Sequence, residues 1–183
     1  MKLTMKACMV SLGILLLPAV AVAEELYFAP YAEAGIGQFQ LNTGSSTSTV
    51  SGGVAVLGAE IHPYIAPEIR FGKASSGNVT GYSNVSLDWF VSYLLRLQAP
   101  VNEDTTLYGL GGATTMRTAL TPTGGTKNSS TTTAFSFGVG LEYRPMANVS
   151  VAGEWVRYGR GYNAASGKGL NVTGIAGLLK YSF

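Results

Sequence analysis

The alternation of apolar and polar residues over positions 171–183 constrains the fold more than any other feature of the sequence. Ile175, Leu179, Tyr181 and Phe183 are large and apolar at odd positions, whereas the even positions are mostly small or polar. A period of two predicts a β-strand with one apolar face and one polar face.

Seven further segments alternate in the same way, and each predicts one more strand. They cover positions 26–41, 50–61, 64–73, 84–98, 105–117, 133–144 and 148–158. Large apolar residues form one face of these strands, including Val85 and Leu87 in the fourth. In the fifth we assign Tyr108, Leu110 and Met116 to that apolar face and Arg117 to the opposite one.

The first 23 residues have the pattern of a secretory signal peptide. Lys2 and Lys6 precede an almost continuous apolar run, and Ala21, Val22 and Ala23 form a small-residue cleavage site before Glu24. The run is too short for a spanning helix. We therefore predict a signal peptide over residues 1–23 and a single domain over residues 24–183. The only cysteine lies inside the leader, so the mature domain has no thiol chemistry.

The composition of the polar faces separates a membrane barrel from a secreted sandwich. Cleavage removes two of the 12 basic residues and leaves as many basic as acidic ones, so no nucleic-acid footprint remains. Only 12% of residues are charged, and the polar faces carry Gly, Ala, Ser and isolated ions. Such faces suit a narrow lumen, with the aromatic and aliphatic faces toward lipid. The sequence predicts an all-β, eight-stranded antiparallel up-and-down transmembrane barrel.

Strand parity directs charged residues of both signs into the predicted lumen. Charges in a narrow, poorly hydrated interior are costly unless they are paired, so we predict a salt-bridge network. Arg117 and Arg144 share this parity but are expected at the rims, satisfied by water. The predicted network contains Glu33, Glu60, Glu68, Arg70, Asp88, Arg96, Glu142, Glu154 and Lys180.

The whole mature chain resembles the small eight-stranded outer-membrane barrels of Gram-negative bacteria. That family includes the OmpA transmembrane domain, the OmpX-type proteins and the opacity-type surface proteins. The resemblance is carried by residues 137–143, 145–148, 149–155 and 181–183. It implies export through the secretory pathway and residence in the outer membrane. It also implies contact with outer-membrane lipid and lipopolysaccharide, and recognition of Tyr181 and Phe183 by the barrel-assembly machinery. We expect a monomer.

The connections between predicted strands alternate in length. Positions 62–63, 99–104 and 145–148 form short turns on the predicted periplasmic side. Longer Ser/Thr-rich segments over 42–49, 74–83, 118–132 and 160–168 are expected to be loops that face outward.

Catalysis is not expected. Acyl transfer needs a base next to a nucleophile, and the only histidine, His62, lies in a predicted periplasmic turn. We treat Lys127, Tyr162 and Lys168 as ordinary loop residues. One histidine and no mature cysteine also give no metal site, and no cofactor is predicted.

Two functional classes remain. The first is a structural or surface-interaction protein, adhesion-like, whose outer loops meet a host-surface or phage ligand. The second is a narrow, gated, porin-like channel for small solutes or ions. An eight-stranded barrel is just wide enough for its own side chains, which favours the first.

The cleavage site gives a prediction about processing. Because Ala21 and Ala23 are small enough for signal peptidase, the mature protein should begin at Glu24. N-terminal sequencing of the protein purified from outer membranes checks this. Mature material that begins at Met1 would contradict the assignment.

Overall fold

The computed structural model describes residues 27–44, 46–79, 82–163 and 168–183. The predicted leader, with Ala23 and Glu24 at its cleavage site, lies outside these residues. No helix among the described residues is long and apolar enough to cross a membrane. Within them the chain forms nine strands: β1 Ala29–Asn42, β2 Thr47–Glu60, β3 Ile65–Ala74, β4 Ser76–Val79, β5 Tyr82–Pro100, β6 Thr105–Pro122, β7 Asn128–Met146, β8 Val149–Asn163 and β9 Lys168–Ser182.

The nine strands occupy eight positions around one closed sheet. Every pairing is antiparallel, and β1 closes the sheet against β9 from Tyr31↔Ser182 to Asn42↔Asn171. β3 and β4 both pair with β5, so they form one interrupted wall strand with a break at Ser75. Closure leaves no free edge in the membrane, where every backbone group must be paired. The predicted eight-stranded antiparallel barrel is confirmed.

Both ends of the barrel have short connections. At one end, here called the terminal end, the chain enters at Ala29, leaves at Ser182 and turns at 61–64, 101–104 and 147–148. The opposite end, here called the loop end, holds the connections after Asn42, Val79, Pro122 and Asn163.

The prediction of long outer loops at 74–83 and 118–132 is wrong, because strand structure continues through most of both segments. β6 runs to Pro122 and β7 begins at Asn128, which leaves only residues 123–127 between them. Threonine favours strands, and facing threonine hydroxyls can bond across them. Thr115 and Thr133 do so at 2.8 Å between their Oγ1 atoms. Strands of up to 19 residues exceed the roughly 10 needed to span the bilayer, so the walls project beyond it.

The faces of β6 are the reverse of those predicted. Tyr108, Leu110 and Met116 point into the barrel, whereas Arg117 lies on the outer wall. The interior needs bulk at this place because the neighbouring strand contributes Gly140, whose missing side chain leaves the space that the Tyr108 ring fills. Outward, the same strand carries Gly109 and Gly111.

A β-bulge reverses the faces of the first part of β5. The register with β6 shifts between Leu87 and Trp89, so Asp88 is an extra residue on its strand. An extra residue changes the parity of everything before it. Val85 and Leu87, predicted to face lipid, are therefore fully buried in the interior.

The start of the first strand and the end of the last strand meet at the terminal end of the barrel. The Phe183 backbone N–H donates to the Pro30 carbonyl at 3.1 Å, and the Asn148 side-chain amide donates to the Ser182 carbonyl at 2.8 Å. Tyr181 and Phe183 pack edge to face with ring centroids 5.2 Å apart, and both are exposed. An exposed aromatic pair is accessible to a recognition partner.

Deleting Phe183 should reduce barrel assembly, because it removes the terminal aromatic and one of the bonds that hold the last strand to the first. The amount of folded barrel in outer membranes can be measured as the gel band that shifts only on boiling. Phe183→Tyr, which keeps an aromatic ring, should assemble normally. Wild-type levels of the folded band from the deletion would overturn the assembly-signal hypothesis.

Candidate functional site in the barrel interior

Eight of the nine predicted lumen charges lie together in the half of the barrel nearer the terminal end. Three cations, Arg70, Arg96 and Lys180, are almost completely removed from solvent. Five glutamates pair with them: Glu33, Glu60, Glu68, Glu142 and Glu154. The strands alternate, so each of these side chains points inward while its neighbours in sequence face lipid.

Arg96 is the most connected member of this ion network. Its Nη1 atom lies 3.1 Å from Glu33 Oε1 and 3.6 Å from Glu68 Oε1, and its Nη2 atom pairs with Glu142. The guanidinium also lies 3.7 Å from the centre of the Tyr108 ring. A planar group with five donors can engage several carboxylates and an aromatic face at once.

Arg70 links Glu68 to one further carboxylate, that of Glu154. It lies 2.6 Å from both Glu68 Oε2 and Glu154 Oε1. Two tyrosine hydroxyls complete these carboxylates: Tyr31 donates to Glu68 at 2.7 Å and Tyr108 donates to Glu154 at 3.2 Å. Buried carboxylates need such donors to offset the loss of water.

Lys180 continues the network toward the mouth of the terminal end. Its ammonium lies 3.3 Å from Glu142 Oε2 and 3.2 Å from Glu60 Oε1, and 4.1 Å from the Tyr31 ring centre. Glu60 also accepts a 3.1 Å hydrogen bond from the hydroxyl of Tyr27, before the first strand. Partial burial and the Glu60 carboxylate raise the pKa of Tyr27.

The structure places Asp88, the ninth predicted member, apart from the other eight. Its carboxylate accepts a 2.7 Å hydrogen bond from Ser86 and lies 3.5 Å from Lys127 and 3.9 Å from Arg117. Because of the bulge, Asp88 does not follow the alternation that directs the charged residue Arg96, nearer the terminal end of the same strand, inward. Asp88 thus belongs to a partly exposed cluster toward the loop end.

An apolar layer closes the interior above the ion network. Phe39, Phe90 and Tyr158 pack against one another with ring centroids 4.6–5.9 Å apart. We call these three residues the aromatic plug. Above it, toward the loop end, the interior is filled by further apolar side chains, among them Leu41, Val50, Val85, Leu87, Met116, Leu120 and Leu170.

Beside the plug, a row of small hydroxyl side chains joins three strands by hydrogen bonds. Thr114 donates to Ser92 Oγ and Ser136 donates to Thr114 Oγ1, both at 2.7 Å. Ser136 also lies 3.0 Å from the Tyr158 carbonyl. Ser92, Thr114 and Ser136 are fully buried.

Sequence reasoning missed the aromatic members of the site. The alternation assigns Tyr31, Phe39 and Tyr158 to inward faces, but it does not indicate that these side chains belong to one site. The position of Tyr108 followed only from the reversed faces of β6. Glycine spacing was the available signal, because Gly58 and Gly140 leave room for the rings of Tyr31 and Tyr108 respectively.

The exposed charges divide between the two ends. Toward the loop end the described side chains include five cations, Lys73, Arg117, Lys127, Arg157 and Arg160, against Asp88. The terminal end exposes Glu103, Asp104 and Arg144. Arg117 and Arg144, predicted at the rims, are both exposed, but Arg117 lies on the outer wall and not on the predicted lumen face.

The only histidine occupies a turn at the terminal end. His62 is exposed, and its Nδ1 atom accepts a 3.3 Å hydrogen bond from the Tyr64 backbone N–H. Among the described residues there is no group of three or more His, Cys, Asp or Glu side chains suited to a metal ion.

The ion network gives a prediction about stability. Arg96→Met removes the salt-bridge partner of Glu33 and one of the two cations that pair with Glu68 and with Glu142. It should cost about 3–5 kcal/mol in the free energy of unfolding. Arg117→Met is the matched control, because its exposed pair is worth only about 0–1 kcal/mol. Unfolding by guanidinium in detergent micelles measures both. Equal midpoints would show that the network does not stabilise the barrel.

The comparisons with known proteins agree with the fold. Residues 9–183 match the family model of the outer membrane protein beta-barrel domain. Neisserial surface protein A, NspA, is 11% identical with a TM-score of 0.70, over 84% of this chain and 97% of its own. Ail of Yersinia pestis, solved with the heparin analogue sucrose octasulfate, is 14% identical with a TM-score of 0.57, over 84% and 99%. No curated protein matches. The chain belongs to the outer membrane protein beta-barrel family and resides in the Gram-negative outer membrane.

Proposed function

We propose that this protein is a sealed outer-membrane barrel with a structural or surface-interaction role. The observation that carries the proposal is the layered filling of its interior. A dense ion network occupies the half near the terminal end, and the aromatic plug lies directly above it. Eight strands give a lumen that side chains can fill, and here they do so.

The filled interior disfavours the alternative of a gated channel. An ion that entered past Glu60 would meet Arg96, which pairs with Glu33, Glu68 and Glu142. It would then have to cross Phe39 and Phe90, which offer no polar group. Opening this path would require both layers to rearrange, and the plug alone would exclude hydrated ions.

The loop end carries the interaction role in this proposal. The walls extend beyond the lipid there, and basic side chains such as Lys127 and Arg160 are exposed. With the terminal end in the periplasm, these cations face the outside of the cell. The heparin analogue bound to Ail supports a polyanionic surface ligand by analogy of fold.

Catalysis has no part in the proposed role. The position of His62 at the terminal end, in a turn with its Nδ1 atom already engaged, supports this. Export by a cleaved leader, assembly through Tyr181 and Phe183, and a monomeric state remain part of the proposal.

Reconstitution into planar bilayers tests the seal. Because the plug and the network fill the lumen, the folded protein should give no steady unit conductance between pH 5 and 8. A general porin added to the same membrane is the positive control. Steady single-channel steps from the purified barrel would establish the channel instead.

Binding of cells that display the protein to immobilised heparin tests the interaction role. Wild type should bind in low salt and elute as salt is raised, because ionic contacts are screened. Lys127→Gln with Arg160→Gln should bind several-fold more weakly, whereas Arg144→Gln at the terminal end should bind as wild type. No salt-dependent retention of the wild type would contradict a polyanion-binding loop end.

A further inference from the structure

One part of the barrel wall near the loop end is not joined to its neighbour by a ladder. The register of β2 with β3 ends at Gly52↔Ala74, although β2 continues to Thr47 and stays paired with β1 over that length. β4, which follows Ser75, pairs with β5 and forms no ladder with β2 among the described residues. Residues 47–51 of β2 therefore have a strand partner on one side only, and we call this stretch the open edge.

The last bond across the gap shows which backbone groups point into it. The Ser75 backbone N–H donates to the Ser51 carbonyl at 2.8 Å, and the Ser75 hydroxyl donates to the same oxygen at 3.0 Å. Backbone groups alternate in direction along a strand, so those of Thr49 and Thr47 point the same way as those of Ser51. Each of these two threonines thus presents one N–H donor and one C=O acceptor to the gap.

β4 lies against the inner face of β2 and does not cover the open edge. A side chain at Gly77 would collide with the side chains of Ser48 and Val50, which are buried on the inner face of β2. The side chains of Thr47 and Thr49 alternate with them and are exposed. The open edge is therefore accessible from the outer side of the wall.

The position of the open edge places it in water. Trp89, beside Lys73 on the outer wall, is of the residue type that occupies the membrane–water interface. Lys73 pairs with Gly53, and Thr49 lies four residues further toward the loop end, about 13 Å along the strand. Proteins usually protect such an edge with charged residues or proline. Residues 47–51 are Thr, Ser, Thr, Val and Ser, so this edge has neither.

We propose that the open edge binds an extended segment of another protein, which adds to β2 as an antiparallel strand. A row of donors and acceptors along a straight edge is matched by a second extended backbone. A saccharide or a lipid headgroup has no such regular row. Because β2 runs from the loop end toward the membrane, an antiparallel segment has its N-terminal end near Lys73. The exposed ammonium of Lys73 then selects a segment with a carboxylate at that end.

This inference goes beyond the polyanion binding proposed above. Heparin binding is assigned to Lys127 and Arg160, which lie outside β2, and the open edge itself carries no charge. Heparin binding can therefore fail while the open edge still binds a peptide, and the reverse is also true. Separate variants address the two surfaces.

Amide hydrogen exchange, measured by NMR on the refolded barrel in zwitterionic micelles, tests the open edge. The probe is a capped peptide of alternating Thr and Val with one Asp at its N-terminal end. In the free barrel the Thr49 amide should exchange at least about tenfold faster than those of Ser48 and Val50, which point toward β1. Saturating peptide should slow the exchange of Thr49 by about tenfold or more. Slow exchange of Thr49 in the free barrel, or no change with peptide, would overturn the proposal.

Thr49→Pro removes one donor from the open edge. Its N–H points away from β1, and proline is tolerated at such a position of an edge strand, so the barrel should still fold. The variant should bind the peptide about tenfold more weakly. Thr49→Val is the matched control, because it keeps the N–H, and it should bind as the wild type does. The gel band that shifts only on boiling reports folding of both. Equal affinities of the two folded variants would contradict strand addition.

The direction and selectivity of binding are tested with altered probes. A peptide with its Asp at the C-terminal end should bind the wild type several-fold more weakly, and Lys73→Gln should bind both peptides equally. Lys127→Gln with Arg160→Gln should bind the first peptide as the wild type does. A heparin oligosaccharide should leave the exchange of Thr49 unchanged. Protection of Thr49 by heparin, or loss of peptide binding in the Lys127 and Arg160 double variant, would show a general anion site and overturn the proposal.

Discussion

The requirement that a narrow closed barrel fill its own interior governs the rest of this structure. Closure of β1 on β9 satisfies the backbone in lipid but leaves a lumen that cannot hold a free water column. The chain fills one half with Arg70, Arg96, Lys180 and their glutamates, and the other with the aromatic plug and aliphatic side chains. The first filling pairs its charges, and the second packs apolar side chains against one another.

The glycines follow from the same requirement. Gly58 and Gly140 have no side chains, so the rings of Tyr31 and Tyr108 can lie against the inner wall at these positions. From there the tyrosine hydroxyls reach the carboxylates of Glu68 and Glu154. On the outer wall, Gly53 lines a shallow depression that Lys73 and Trp89 also border. Glycine therefore shapes both surfaces of the barrel wall. It does so at a cost, because glycine within a strand has a larger conformational entropy to lose and weakens the strand.

Sequence reasoning succeeded where each strand has one bulky face and one small face. β7 shows this, since Phe135, Phe137 and Val139 face outward and Ser136 inward.

Sequence reasoning failed at β6, because the apolar residues there fill the lumen and glycines face lipid, so apolarity alone could not assign the faces. It also failed before Asp88, where one extra residue reversed the parity. The predicted loops at 74–83 and 118–132 were too long because Ser and Thr occur in strands as well as in loops. The network was predictable from parity, but its tyrosine partners depend on which strands lie opposite, and this only the closed barrel reveals.

The charges of opposite sign are nearly equal in number over the sequence, 12 basic against 10 acidic, but they are distributed unequally along the barrel axis. The lumen holds three cations against five glutamates, the terminal end exposes Glu103 and Asp104 beside Arg144, and the loop end is basic. Two of the interior carboxylates accept hydrogen bonds from tyrosine hydroxyls in addition to their contacts with cations. Other described cations lie on the outer wall and at the rims, and they do not pair with the interior carboxylates. Net charge is therefore the wrong quantity for judging the partners of such a chain. The charge at each depth is the relevant quantity, and it makes the loop end the site that we propose for anionic partners.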